Sequence, residues 1–173
     1  MKHETKQFSN WHKWKPLILE NLPEEMREVS QWVGWRWGEV RSPNGKRGKI
    51  PVNPHNGINA SVVKTESWGT FDQAVEAVDQ FGLAGIGFVF TNEDEYCGID
   101  LDNCRNPETG EIDQWAKEIC ERFTCYTEVS ASETGIHILC RAKLPPGSRN
   151  RKGVLEIYDQ GRFFVVTGMV LEV

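Results

Sequence analysis

The run Cys97-Gly98-Ile99-Asp100-Leu101-Asp102-Asn103 constrains this chain more than any other. Apolar and acidic residues alternate in it, and a period of two is the signature of a β-strand. Ile99 and Leu101 must then face a core, while Asp100 and Asp102 share the opposite face. Two carboxylates that close together repel unless a cation lies between them. Hard divalent ions such as Mg²⁺ suit this arrangement, because they take carboxylate oxygens and leave positions for substrate phosphates. A D-x-D pair alone is more often a solvated strand end, so its meaning depends on what lies downstream.

The chain around it is of ordinary globular make-up. Its 173 residues, 39% hydrophobic and 26% charged, suffice for one domain with a sizeable core. No apolar run has the length of a membrane span, and MKHETKQFSN does not read as a signal peptide. The five cysteines, at 97, 104, 120, 125 and 140, include no C-x-x-C pair. They are expected to be small apolar fillers in a reducing cytoplasm, with neither a zinc ribbon nor a disulfide framework. A net charge of −5 argues against a generic nucleic-acid coat protein, which depends on many phosphate contacts. The basic residues are nevertheless clustered, as Arg36, Arg41, Lys46, Arg47 and Lys49, and as Arg141, Lys143, Arg149, Arg151 and Lys152. Either cluster is a solvated loop or a local site for a triphosphate or short strand.

Along the chain, residues 1–16 are expected to be flexible. Glu20 to Ser30, with Pro23 near its start, reads as a short helix, and Gln31 to Val40 as a strand. A turn at Ser42-Pro43-Asn44-Gly45 precedes the extended piece Lys49–Val52. Thr70-Phe71-Asp72-Gln73 has the capping-box pattern and opens a helix to about Phe81. Strands follow at 85–90 and 96–102. Ile112, Trp115, Ala116, Ile119, Cys120 and Phe123 recur at helical spacing, which predicts an amphipathic helix over 111–123 with that stripe in the core. Four more strands are predicted at 125–130, 136–142, 153–158 and 162–167, the last two forming a tight hairpin through Asp159-Gln160-Gly161. Strands mixed with two or three helices indicate an α+β layer fold. The tryptophans concentrated before residue 40 either pack an N-terminal subdomain or mark a docking surface.

Three segments join the D-x-D pair. In Ser130-Ala131-Ser132-Glu133-Thr134-Gly135-Ile136-His137, small residues let backbone N–H groups approach an anion and the serine hydroxyls add donors. His137, between core-facing Ile136 and Ile138, projects from the opposite face, either toward a phosphate or as a satisfied structural histidine. In Val154-Leu155-Glu156-Ile157-Tyr158, Glu156 is an acid in an apolar strand. It requires a partner, either an arginine or a cation shared with Asp100 and Asp102. Arg162 opens the last strand, where it either reaches a phosphate or forms a surface ion pair. Asp159 is a further acid nearby, with a turn position.

The series G-I-D-L-D-N, S-A-S-E-T-G-I-H and L-E-I-Y-D-Q-G-R-F-F-V-V-T-G resembles the three motifs of the archaeo-eukaryotic primase superfamily. Its primase-polymerase branch is the nearest in pattern. Lys49-Ile50-Pro51, Asn53-Pro54, Gly57, Ala60-Ser61, Ser67-Trp68 and the stretch from Phe71 to Ala74 also look like that branch, so the resemblance spans about residues 31–168. It implies an RRM-like catalytic sheet with an additional N-terminal α/β subdomain, and a catalytic domain over residues 17–173. It implies that Asp100, Asp102 and Glu156 ligate two divalent ions, Mg²⁺ or Mn²⁺. Ser130, Ser132, Gly135 and His137, assisted by Lys49 and Arg162, would hold the incoming nucleotide. The zinc module of many relatives has no counterpart in these cysteines, so no zinc is expected. The implied activity is template-directed nucleotidyl transfer from dNTPs or NTPs to a primer or initiating nucleotide on DNA. A cytoplasmic setting in prokaryotic, phage or plasmid replication goes with it, and a helical or helicase domain as a further partner, with no membrane. The alternatives are a metal-dependent nuclease or phosphatase using the same acids, and a catalytically silent nucleic-acid-binding module.

Overall fold

A computed structural model describes residues 18–40 and 47–171. Nine strands and three helices follow one another as α1 (Glu24–Arg27), β1 (Trp32–Val40), β2 (Arg47–Val52), α2 (Phe71–Phe81), β3 (Gly85–Phe90), β4 (Tyr96–Leu101), α3 (Gln114–Cys120), β5 (Tyr126–Val129), β6 (Ile136–Arg141), β7 (Arg151–Lys152), β8 (Leu155–Tyr158) and β9 (Arg162–Val165) among the described residues. They build two antiparallel sheets, one ordered β2-β1-β3-β9 and the other β5-β6-β4-β8-β7. The mixed α and β content matches the predicted α+β class. No helix among the described residues is long and apolar enough to cross a membrane.

Alternation in the five-stranded sheet sorts its side chains into two layers. Cys97, Ile99 and Leu101 of β4, Ile136, Ile138 and Cys140 of β6, and Leu155 and Ile157 of β8 pack on one face against Ala116 and Cys120 of α3. The opposite face turns Tyr96 and Leu139 toward Phe88, Phe90 and Phe164 of the four-stranded sheet. Gly98 makes this approach possible. A Cβ there would stand 2.6 Å from Phe164 Cε2 and 2.7 Å from Phe90 Cζ, so the two rings lie directly on the β4 backbone.

Helix α2 packs Ala74 and Val78 into the same core as Trp32, Ile86 and Phe88. Its start is the capping box read from the sequence. Thr70 Oγ1 accepts from the Gln73 N–H at 3.2 Å, and Gln73 Oε1 accepts from the Thr70 N–H at 2.9 Å. Replacing Thr70 by alanine leaves the Gln73 N–H without this partner. Thr70→Ala is expected to cost about 1 kcal/mol, seen as a fall in Tm of about 2–4 °C for a chain of this size.

Several expectations need correction. The segment from Glu20 to Ser30 holds only a 3-10 turn at Leu19–Asn21 and the four-residue α1, because Pro23 lacks the N–H that a continuous helix would use. Helix α3 is shorter than 111–123, and Phe123 is 39% exposed beyond its end. Asp159-Gln160-Gly161 is not a hairpin: β8 pairs with β4 and β9 with β3, so this tight turn carries the chain from one sheet to the other. Asp159 is buried and its carboxylate accepts from the Leu144 N–H at 3.0 Å, a turn-holding role. Cys125 and Cys140 form a disulfide, so they are not simple fillers, whereas Cys97, Cys104 and Cys120 are free and buried. Of the tryptophans, Trp32, Trp35 and Trp68 are buried in packing clusters. Expectations for residues 1–16, including Trp11 and Trp14, and for Arg41, the 42–45 turn and Lys46, lie outside the described residues.

Candidate active site

The register of the five-stranded sheet lines up one polar side chain from every strand. Glu128 of β5 lies opposite His137 of β6, His137 opposite Asp100 of β4, Asp100 opposite Glu156 of β8, and Glu156 opposite Arg151 of β7. Directly opposed residues in antiparallel strands share a face with Cβ atoms about 4.5–5.5 Å apart. The five therefore form one row of ionisable side chains. It runs beside the row that meets the other sheet, since Gly98, Leu139, Tyr126 and Tyr158 occupy the adjacent register position. Two strand neighbours, Ile136 and Ile138, are fully buried on the far face, which is what turns His137 into this row.

Each member of the row has defined partners. Glu128 is completely buried, and its carboxylate accepts from the Tyr126 hydroxyl at 2.8 Å, the Thr167 N–H at 3.0 Å and the Gly168 N–H at 2.9 Å. His137 Nδ1 lies 3.3 Å from Glu128 Oε1, and its Nε2 lies 3.7 Å from Asp100 Oδ1. The ring is further held against Phe164, with centroids 5.1 Å apart. Asp100 titrates above its ordinary value: burial is the main cause, Asp102 and Glu156 add repulsion, and His137 and Lys49 oppose the rise. Lys49 reaches over from β2, with Nζ 5.9 Å from the centre of the Trp35 ring. Burial lowers its pKa, and attraction from Asp100, Asp102 and Glu128 offsets part of that. Asp100 and Lys49 are thus held at a partly desolvated site that a ligand of suitable charge would relieve.

The loop between β5 and β6 closes one side. Ser130 Oγ lies 3.0 Å from Ser132 Oγ, which lies 2.9 Å from Thr134 Oγ1, so three hydroxyls form a chain. Gly135 lets the loop sit on the end of β4: a Cβ there would stand 2.7 Å from the Leu101 carbonyl oxygen. The Arg105 guanidinium donates to the Glu133 carbonyl at 2.8 Å and ties the loop from outside. Asp102 falls in the turn immediately after β4, not on the strand predicted to end at 102. Its backbone N–H donates to the Val154 carbonyl at 2.9 Å.

The donor chemistry suits a hard divalent ion, since Asp100, Asp102 and Glu156 offer only oxygens and an excess of negative charge. Their placement is not that of an assembled ligand set. Among the described residues no group of three or more His, Cys, Asp or Glu side chains is arranged to hold a metal. Glu156 is instead paired with Arg151 at 3.2 Å and Arg162 at 3.5 Å, and accepts from the Tyr158 hydroxyl at 2.9 Å.

Of the residues singled out from sequence, Asp100, His137 and Glu156 meet in one row, and Lys49 and Arg162 each interact with its acids. Ser130, Ser132 and Gly135 lie in the adjoining loop. Several described members of the two basic clusters have separate partners. Arg36 bonds Asn59, Arg47 bonds the Gly38 carbonyl, Arg141 pairs with Glu95, and Lys143 pairs with Asp94. Glu128 was not among the residues singled out; its signal is weaker than that of Glu156, an acid between Thr127 and Val129, where Glu156 stands between the apolar Leu155 and Ile157.

Fold and site together define a mixed α and β protein of antiparallel sheets with an acid–histidine row at the sheet junction, compatible with an α+β primase fold. No family model matches the chain. Over 152 residues, 85% of its length, it is 32% identical to the DNA primase-polymerase of Nitratiruptor phage NrS-1. The chain is a homologue of that protein, which supports the primase-polymerase family, and it spans 20% of that relative's length.

Proposed function

We propose that this chain is the catalytic core of a DNA-directed primase-polymerase, joining nucleoside triphosphates to a primer or initiating nucleotide on a DNA template. The observation that carries the reading is the register row in which His137, Asp100 and Glu156 stand on three adjacent strands, in a chain homologous to a phage primase-polymerase. The catalytic domain covers residues 17–173. Its five-stranded sheet would supply the RRM-like catalytic part, and β1 to β3 the N-terminal subdomain, whose sheet β9 joins.

In nucleotidyl transfer the primer 3′-oxygen bonds to the α-phosphorus while the bond to pyrophosphate breaks, and the hydroxyl proton is lost. Such reactions depend on alignment and charge stabilisation, with no protein nucleophile. Asp100, Asp102 and Glu156 would hold two divalent ions, Mg²⁺ or Mn²⁺, which when bound favour ionisation of the 3′-hydroxyl and offset charge on the leaving group. His137 Nε2, Lys49 Nζ and the Ser130 and Ser132 hydroxyls would bind the phosphates, with Gly135 keeping the loop close to β4. Glu156 must release Arg151 and Arg162 to join Asp100, and those guanidinium groups then become available to polyphosphate, for which the arginine fork is well matched.

Extension of a labelled primer on a DNA template, with dNTPs or NTPs and Mg²⁺ or Mn²⁺, tests the reading. Template-dependent ladders that Glu156→Ala abolishes are expected. A shortened primer would establish a nuclease instead. Nucleotide binding with no change in primer under any ion would establish a silent binding module.

A further inference from the structure

A completely buried carboxylate is costly unless its oxygens are satisfied, and Glu128 is satisfied in an asymmetric way. Its Oε2 accepts from three donors, the Tyr126 hydroxyl and the Thr167 and Gly168 N–H groups, while Oε1 faces the Thr167 N–H at 3.1 Å and His137 Nδ1 at 3.3 Å. Backbone N–H groups and this hydroxyl donate, so Glu128 acts toward them as an acceptor, and His137 Nδ1 must carry a hydrogen to complete the set. We propose that Glu128 is a positioning residue that fixes the ring of His137, with Nδ1–H directed at the carboxylate and Nε2 presented to the site beside Asp100.

Three features support this role over simple burial of an acid. The register pairs Glu128 directly with His137. Phe164 packs against the ring, which restricts the other way of turning it. The C-terminal segment runs along the outer edge of β5, where the Val129 N–H donates to the Met169 carbonyl and the Leu171 N–H to the Thr127 carbonyl, so the carboxylate is closed off from solvent and committed inward. An ordered carboxylate behind an imidazole fixes which nitrogen faces the ligand, as it does for metal-bound histidines. The consequence for nucleotide binding rests on the reading of His137 as a phosphate ligand.

Glu128→Gln tests the proposal, because a carboxamide has one acceptor and one donor end. Three donors at the Oε2 position hold the amide oxygen there, and the amide nitrogen then faces His137 Nδ1. The ring must accept at Nδ1 and move its hydrogen to Nε2. ¹⁵N spectra of histidine-labelled protein with the ring neutral are expected to place the hydrogen on Nδ1 in the native chain and on Nε2 in Glu128→Gln. With Nδ1–H given to Glu128, Nε2 donates to a phosphate oxygen only when it carries a proton as well, and the Glu128 carboxylate then offsets the charge of the ring. A carboxamide does not, so titration calorimetry with ATP and Mg²⁺ is expected to show about tenfold weaker binding in Glu128→Gln, and no further loss when the change is made in a His137→Ala background. A native ring protonated on Nε2, an unaltered tautomer in Glu128→Gln, or an equal loss of binding without His137 would overturn the proposal. The native spectrum needs no variant, so it decides the matter if Glu128→Gln does not fold. An Nδ1–H ring in a chain that binds no ATP would uphold the Glu128–His137 pairing and remove the nucleotide reading alone.

Discussion

Asp100→Asn is expected to abolish nucleotide addition, by about 10³-fold or more, while making the metal-free chain more stable. The loss follows if Asp100 holds a divalent ion, since such ions supply several kcal/mol of charge stabilisation in the transition state and each 1.4 kcal/mol is about tenfold in rate. The gain in stability comes from the cost of the native carboxylate. Burial, with repulsion from Asp102 and Glu156, raises the folded-state pKa of Asp100 above the ordinary 3.8. Between the unfolded and folded values the folded chain keeps a proton that the unfolded chain has released. Stability therefore falls as pH rises through that window, and the full penalty is present above it. In EDTA, the Tm of Asp100→Asn should exceed the native Tm at neutral pH, and the difference should close as pH falls toward 3.8. Thermal melts across that range, with primer extension alongside, measure both effects. A variant that melts lower than the native chain at neutral pH, or one that still extends primers, would contradict this account of the residue.

Gly98→Val is expected to produce the largest loss of stability of any single change at the sheet junction. Its new Cβ would lie 2.6 and 2.8 Å from Cε2 and Cδ2 of Phe164 and 2.7 Å from Cζ of Phe90. Neither ring has room to retreat, because the two pack edge to face at 5.1 Å and both are buried. Overpacking of this kind costs about 3 kcal/mol or more, a fall in Tm of about 6–12 °C for a chain of this length. The effect should extend to the site, since His137 also rests on Phe164. A Tm within about 2 °C of native would mean that the sheets do not meet at Gly98 in this way.

Much of this arrangement was legible because it depends on local pattern. The alternation at 97–101 and 136–140 assigns Ile99, Leu101, Ile136 and Ile138 to one face, and all four are buried against α3 or beside it. Thr70 and Gln73 mark the start of α2 by a bond pattern contained in four residues. Where the reading failed, the deciding contact was distant in sequence. Asp159-Gln160-Gly161 has the chemistry of a hairpin turn, yet which strands pair on either side depends on β4 and β3. The Cys125–Cys140 pairing depends on the register of β5 against β6. Phe123 fits a helical stripe, but the helix ends before it reaches the core.

The site divides in the same way. Residue spacing determined that Asp100, His137 and Glu156 each project from the face opposite Ile99, Ile136, Ile138 and Ile157, because strand periodicity requires it. Only the tertiary structure decided that these strands are neighbours in one register, that Lys49 crosses from the other sheet, that arginines hold Glu156, and that the unread Glu128 stands behind His137. Periodicity is a property of the backbone within one segment, whereas partnership between charges is set by which segments the core brings side by side.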